Sequence, residues 1–328
     1  MKAAVIGSNS FSGSDFVDLF LEDHKNQAIG ISRSPEKSDL FLPYKGDKEK
    51  RFKFHSLDLN RDCERIIEAL DAFEPEYIVN FAAQSEVAPS WENPDHWYQT
   101  NIVSLSRLTS HLLKKKYLKK YVHISSPEVY GTCEGTVYES APLNPSTPYA
   151  ASKAGADLHL FTLVKNFDFP LVMIRATNVY GAHQQLFKII PRSVINIRLN
   201  KKIQLHGGGH AVKSYIHIRD VSEGELSAML NGEIGNIYHL SPDQGYSVRS
   251  VVERIAKQFG KELKDVAVDV EERLGQDKAY VIDSSKARNN LDWKPRVNIE
   301  KGLAEVVNWI DSRWSEIKNC PLEYQHIQ

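Results

Sequence analysis

Four side chains near the middle of the chain are of types that move protons: Ser126, Glu128, Tyr149 and Lys153. Tyr121-Val122-His123-Ile124 reads as a short buried strand, β-branched and apolar, that breaks at Ser125-Ser126-Pro127. Ser126 and Glu128 therefore fall where a strand gives way to a loop. In an open parallel sheet, that carboxyl end is where ligands bind. Farther along, Pro148-Tyr149 opens a helix with Ala150, Ala154, Leu158, Phe161 and Val164 as its apolar positions. Tyr149 and Lys153, four apart, share one face of its first turn. An ammonium beside a phenol favours the phenolate, so such a pair can make tyrosine a general base. The same spacing also occurs on solvated helix faces, and the rest of the chain must decide between the two.

The elements around these residues read as alternating strands and helices. Ala3-Ala4-Val5-Ile6 is a buried strand that runs into Gly7-Ser8-Asn9-Ser10-Phe11-Ser12-Gly13, and a helix with Phe16, Val17, Leu19 and Phe20 follows. Strand, glycine turn and helix form the context in which a turn holds a pyrophosphate at a helix N-terminus. Ser10 stands at the middle position of this turn, where it keeps the turn only if its φ is negative. The second strand, residues 27–32, ends in Ser32-Arg33-Ser34 without the acid that would bond a ribose 2′-hydroxyl. Arginine between hydroxyls suits a 2′-phosphate better, although Glu36 or Asp39 could still reach in. Strands at Phe52–Ser56, Tyr77–Phe81 and Leu171–Arg175 continue the pattern, with a long helix from Trp97 to Lys116 on Ile102, Leu105, Leu108 and Leu112. Lys114, Lys115, Lys116, Lys119 and Lys120 complement the dipole at the end of that helix.

With 328 residues, 41% hydrophobic and 25% charged, the chain is sized for a soluble fold of two lobes. A net charge of −1 points to no nucleic-acid partner. Cys63, Cys133 and Cys320 are scattered without metal spacing, which favours a reducing compartment and no metal. No apolar stretch is long enough for a membrane span, and MKAAVIGSNS is not a signal peptide, so a cytoplasmic location is expected.

SSPEVYG followed by NPSTPYAASK resembles the extended short-chain dehydrogenase/reductases, and within them the nucleotide-sugar 4,6-dehydratases. Further pieces in the same order make the resemblance cover most of the chain. It implies a doubly wound parallel-sheet Rossmann domain, residues 1–177 and 211–235, with a smaller α/β nucleotide-sugar lobe, residues 178–210 and 236–328. The catalytic set it implies is Ser126, Glu128, Tyr149 and Lys153. Cofactor contacts would come from Gly7, Ser10, Phe11, Gly13, Ser32, Arg33, Asp58, Leu59, Phe81, Ala82, Ala83 and Asn101, besides Tyr149 and Lys153. NADP is favoured over NAD, because GDP-mannose 4,6-dehydratases also lack the acid. Either would stay tightly bound and not be consumed. Substrate contacts would come from Gln84, Ser85, Ser126, Asn178, Lys188, Arg192, Lys213 and Arg273, with Lys188 and Arg192 on one helix face. Relatives dimerise through a four-helix bundle built from the two helices at Trp97 and Tyr149, so a homodimer is expected.

The chain departs from the pattern at Pro127, where dTDP-glucose enzymes carry an aspartate that protonates the leaving hydroxyl, and at Lys213, where relatives have arginine. The activity expected is NDP-hexose 4,6-dehydration, with dTDP-glucose first, then GDP-mannose or a UDP-sugar. The alternatives are a nucleotide-sugar 4-epimerase, a UDP-glucuronate decarboxylase, and a non-catalytic dinucleotide-binding redox sensor.

Overall fold

The computed structural model describes residues 1–46, 48–132, 135–271 and 281–326. Its centre is a parallel sheet of seven strands. Four of them, β1 (Lys2–Ile6), β2 (Gln27–Ser32), β3 (Phe52–Ser56) and β4 (Tyr77–Asn80), are followed by β5 (Lys120–Ile124). The strands Leu171–Ala176 and Asn236–Leu240 complete it, in the order Asn236–Leu240, Leu171–Ala176, β5, β4, β1, β2, β3. The boundary expected at residue 235 needs correction here, because Asn236–Leu240 lies in this sheet and not in the other lobe.

Strands of this kind are buried on both faces, which is why they read as unbroken apolar runs. One face packs against α1 (Phe11–Phe20) and, from far along the chain, a helix at Ile218–Asn231, through Phe16, Phe20, Val221 and Met229. The other face takes α2 (Cys63–Phe73) and the helices α3 (Pro94–Tyr98), α4 (Leu105–Leu112) and α5 (Pro148–Phe167), with Leu70, Leu105, Leu108, Leu160 and Leu163 in its core. A third cluster joins α6 (Ile189–Arg198) to helices Val248–Gln258 and Ile299–Ser312 beside the sheet.

Strand order reverses between β1 and β4, whose ends therefore frame a crevice. Ile6 pairs with both Ile31 and Asn80, and the Gly7 N–H continues onto the Ile31 carbonyl at 2.7 Å.

Three local expectations are corrected. The helix from Trp97 is interrupted by a π-helical turn, Gln99–Ser104, between α3 and α4. On α5 the stripe facing the sheet is Ala156, Leu160 and Leu163, whereas Leu158 is 60% exposed. Lys120 is buried in β5, and its ammonium bonds the Leu230 and Gly232 carbonyls at 3.2 and 2.8 Å. It thus caps the C-terminus of the helix Ile218–Asn231, not that of its own preceding helix. Among the described residues, no helix is long and apolar enough to cross a membrane.

Candidate active site

β5 delivers Ser126 in extended conformation, and the Ser126 Oγ accepts the Glu128 N–H at 3.3 Å to start the short 3₁₀ turn Pro127–Tyr130. Pro127 suits the first position of that turn, where no N–H is needed. Opposite stands the start of α5, capped by the Thr147 hydroxyl on the Ala150 N–H at 3.1 Å. Tyr149 is anchored by its own N–H to the Ser90 hydroxyl at 3.2 Å, and its phenol shares a hydrogen bond with the Ser126 side chain. Lys153, one turn on and buried, donates to the Ile124 carbonyl at 2.7 Å. Ser126, Tyr149 and Lys153 thus meet at the carboxyl end of β5, and the Glu128 carboxylate is near enough to act on the phenol electrostatically.

The electrostatics correct the expectation of a phenolate. Burial pushes the Tyr149 phenol well up, Glu128 adds to this, and only the Ser126 bond draws it down. Burial also lowers the Lys153 ammonium to about 8, with Asp157 opposing the fall and Arg175 reinforcing it. Desolvation is therefore the leading influence on both groups.

Behind the site lies a buried polar chain that sequence reasoning missed. Asp157, four residues past Lys153 on α5, accepts from Ser125 Oγ and Arg175 Nη2, each at 2.7 Å. Arg175 also donates to the Tyr130 hydroxyl, which meets His239 Nε2 at 2.7 Å. The signal available was the Tyr149, Lys153, Asp157 spacing, a third polar group on one helix face.

A groove of about 490 Å³ opens at the β1/β4 crevice. Gly7, at φ +90°, forms its floor; a Cβ there would lie 2.7 Å from the Ala82 nitrogen. Ser10 has φ −76° and its Oγ accepts the Gly13 N–H at 3.0 Å, so serine keeps the turn and caps α1. Gly7, Ser10, Ser32, Arg33, Asp58 and Leu59 line the groove with Phe81, Ala82 and Ala83. This glycine cradle under a helix N-terminus fits a dinucleotide pyrophosphate. Phe11, Gly13, Asn101, Tyr149 and Lys153 do not line it. Phe11 is buried, and Gly13 packs so tightly that a Cβ would meet the Gly7 carbonyl oxygen at 2.4 Å. Asn101, in the π-helical turn, accepts the Gln84 N–H at 2.8 Å and donates to the Gln84 carbonyl at 3.0 Å and Ser152 Oγ at 2.8 Å. It ties the loop after β4 to α5, a positioning role in place of the expected contact.

Asn9 and Lys37 also line this groove and were missed. Lys37 Nζ donates to the Asn9 carbonyl at 2.9 Å, and burial lowers its pKa. The two acids that could have reached a ribose are held elsewhere: Glu36 by Lys45 at 2.9 Å, Asp39 by Arg313 at 3.1 Å.

A second groove, about 900 Å³, adjoins the first at Phe187, Cys320 and Glu323. Asn178, Arg192 and Lys213 line it, and the buried Asn178 Oδ1 has no hydrogen-bond partner. The expected pairing of Lys188 and Arg192 on one helix face needs correction. Lys188 is the N-cap of α6 and turns to Glu86 at 2.6 Å, whereas Arg192 lines the groove and pairs with Glu323 at 2.7 Å. Ser85 and Glu86 line the dinucleotide groove, and Gln84 is buried behind it. Arg273 lies outside the described residues. Among the described residues, no group of three or more His, Cys, Asp or Glu is placed to hold a metal.

Three comparisons bear on this arrangement. A family model described as GDP-mannose 4,6 dehydratase matches residues 5–306. A dTDP-glucose 4,6-dehydratase of Mycobacterium tuberculosis is 28% identical over 334 residues, covering 98% of this chain and 97% of the relative. Solved structures of dTDP-glucose 4,6-dehydratases from Bacillus anthracis and Streptomyces venezuelae, both with NAD, superpose with TM-scores of 0.87 and 0.88. They are 29% and 28% identical, the first covering 96% of this chain and 98% of its own, the second 97% and 100%.

Proposed function

We propose, from the premise that this chain belongs to the GDP-mannose 4,6 dehydratase family and is an NDP-hexose 4,6-dehydratase, that Ser126, Glu128, Tyr149 and Lys153 carry its reaction. The observation that supports this most is the convergence of the Ser126, Tyr149 and Lys153 side chains, with the Glu128 carboxylate, where β5 ends.

When bound, the nicotinamide dinucleotide supplies hydride removal at C4 of the hexose and hydride return at C6. Tyr149 takes the proton of the C4 hydroxyl as a phenolate, a form that burial opposes and a neighbouring positive charge must restore, and Ser126 bonds the same oxygen. Lys153 holds positive charge beside the phenol as that proton moves. A ketone at C4 acidifies the C5 hydrogen, which Glu128 removes. Proline at position 127 has no proton to give, so Glu128 passes the same proton to the C6 hydroxyl, which leaves as water. As hydride returns to C6, C5 takes a proton back through Glu128, and Tyr149 releases its own to solvent. Glu128→Gln keeps the shape and loses the base. It should therefore stop water loss, by about 10²–10⁴-fold, and leave C4 oxidation intact, so that a reduced-nicotinamide absorbance builds up with NDP-hexose. Normal turnover by this variant, with inversion at C4, would mean a 4-epimerase instead.

The dinucleotide favoured is NADP. Arg33 and Lys37 stand on the groove wall, and neither Glu36 nor Asp39 is free to bond a ribose diol. For the substrate, dTDP-glucose is the first candidate, then GDP-mannose or a UDP-sugar. Arg192 and Lys213 would meet its diphosphate, and Asn178, on the same groove, would donate to it through its amide NH2. Tyr98, Val103 and Leu158 leave apolar surface exposed on α3, the π-helical turn and α5, which supports a homodimer through those helices. Native mass spectrometry of the purified protein should give two chains carrying NADP; a monomer, or NAD alone, would contradict the respective part.

A further inference from the structure

The two grooves share a wall built by residues 320–326. After the helix Ile299–Ser312 and the short turn Trp314–Ile317, the chain runs back across the molecule as residues 320–326. Cys320 and Glu323 line both grooves, and Tyr324 lines the dinucleotide groove facing the Arg33 side. Three contacts fix this segment. Glu323 holds Arg192 at 2.7 and 3.4 Å. Tyr324 meets the Phe187 ring edge-on at 5.4 Å between centroids. His326 stacks on both His96 and Trp97, at 5.2 and 5.1 Å, with His96 Nδ1 and His326 Nε2 2.9 Å apart. Arg33 is close enough for its charge to bear on both the Tyr324 and His326 rings.

The segment is therefore anchored at both ends, on α6 at one and on α3 at the other, and it passes over the groove between them. Its anchors differ in kind. The ring stack at His326 is aromatic packing against the buried Trp97. The Glu323 carboxylate, by contrast, is an exposed anion on a cation that faces the second groove. A guanidinium there binds a carboxylate or a phosphate by the same fork geometry, and the doubly charged diphosphate is the stronger partner.

We propose that residues 320–326 form a strap that closes over the dinucleotide, and that Glu323 occupies Arg192 until the diphosphate of the substrate displaces it. The second half rests on the dehydratase reading above; the first half does not. The strap latches through Tyr324 and His326, so loosening the latch opens an exit for the dinucleotide. Glu323 competes with the substrate, so removing its charge frees Arg192.

The holoenzyme as purified tests the first half, with no sugar nucleotide present. Bound NAD(P) is followed as it leaves on dilution, and the Tyr324→Ala/His326→Ala double variant should release it at least tenfold faster than the unaltered protein. His326→Gln, which keeps bulk without the stack, should fall between them. Equal release rates for all three proteins, each folded by circular dichroism, would overturn the strap. The second half is read by calorimetric titration with dTDP, GDP and UDP. The diphosphate that binds should bind Glu323→Gln about two- to fivefold more tightly, the range an exposed ion pair can impose. Unchanged or weaker binding to Glu323→Gln would overturn the competition. Failure of all three diphosphates to bind the unaltered protein would overturn the dehydratase reading and the competition together, while the release experiment would still decide the strap.

Discussion

At the scale of single residues, the site is governed by desolvation. Lys153 is sealed between β5 and α5, and burial lowers its ammonium to about 8 although Asp157 stands one turn away. Between about 8 and the ordinary lysine value of 10.5 the unfolded chain binds more protons than the folded one, so this group's contribution to stability grows as pH rises through that window. Activity should run the opposite way, because the neutral amine no longer supports proton removal by Tyr149. We predict that kcat/KM falls on an alkaline limb near pH 8, read on folded protein by initial rates. Asp157→Asn removes the charge that opposes the fall and should move the limb to lower pH. A limb that stays put in the variant would show that Asp157 does not set the charge of Lys153. Spacing alone placed Tyr149 and Lys153 on one helix face correctly. Spacing could not show that burial leads for both groups, because burial is a property of the whole fold.

Among the elements, the π-helical turn Gln99–Ser104 stands out because it presents Asn101 to two neighbours at once. The three hydrogen bonds of that amide bind the loop after β4 to the first turns of α5, which carry Tyr149 and Lys153. Such bonds contribute about 0.5–1.5 kcal/mol each, so Asn101→Ala should cost about 2–4 kcal/mol in urea unfolding. A loss under about 0.5 kcal/mol together with weak dinucleotide binding would restore Asn101 as a cofactor contact. The turn was not legible in the sequence: Ile102, Leu105, Leu108 and Leu112 fit an uninterrupted helix, and one widened turn hardly disturbs that pattern. The same limit applies to α5, which is apolar on two faces. Periodicity found the Ala150–Leu158 face, whereas the sheet took Ala156, Leu160 and Leu163. The strands were easier to read, because burial on both faces leaves apolar runs that end at loop residues; residues 27–32 match β2 end for end.

For the whole molecule, a dinucleotide groove at the β1/β4 crevice and a second groove beside α6 meet under the strap at Phe187, Cys320 and Glu323. The first groove was legible because a glycine turn after the first strand announces it. The wall made by residues 320–326 was not, since no local pattern tells where a tail lands. The central claim concerns the carboxyl end of β5: one hexose loses hydride at C4 and regains it at C6, with Tyr149 and Glu128 moving the protons. An NDP-hexose carrying deuterium at C4 tests this most directly, with the product read by NMR after a single incubation. The account predicts a 4-keto-6-deoxy sugar with the deuterium in its C6 methyl group. Deuterium still at C4 of an inverted hexose, or lost to water, would contradict it.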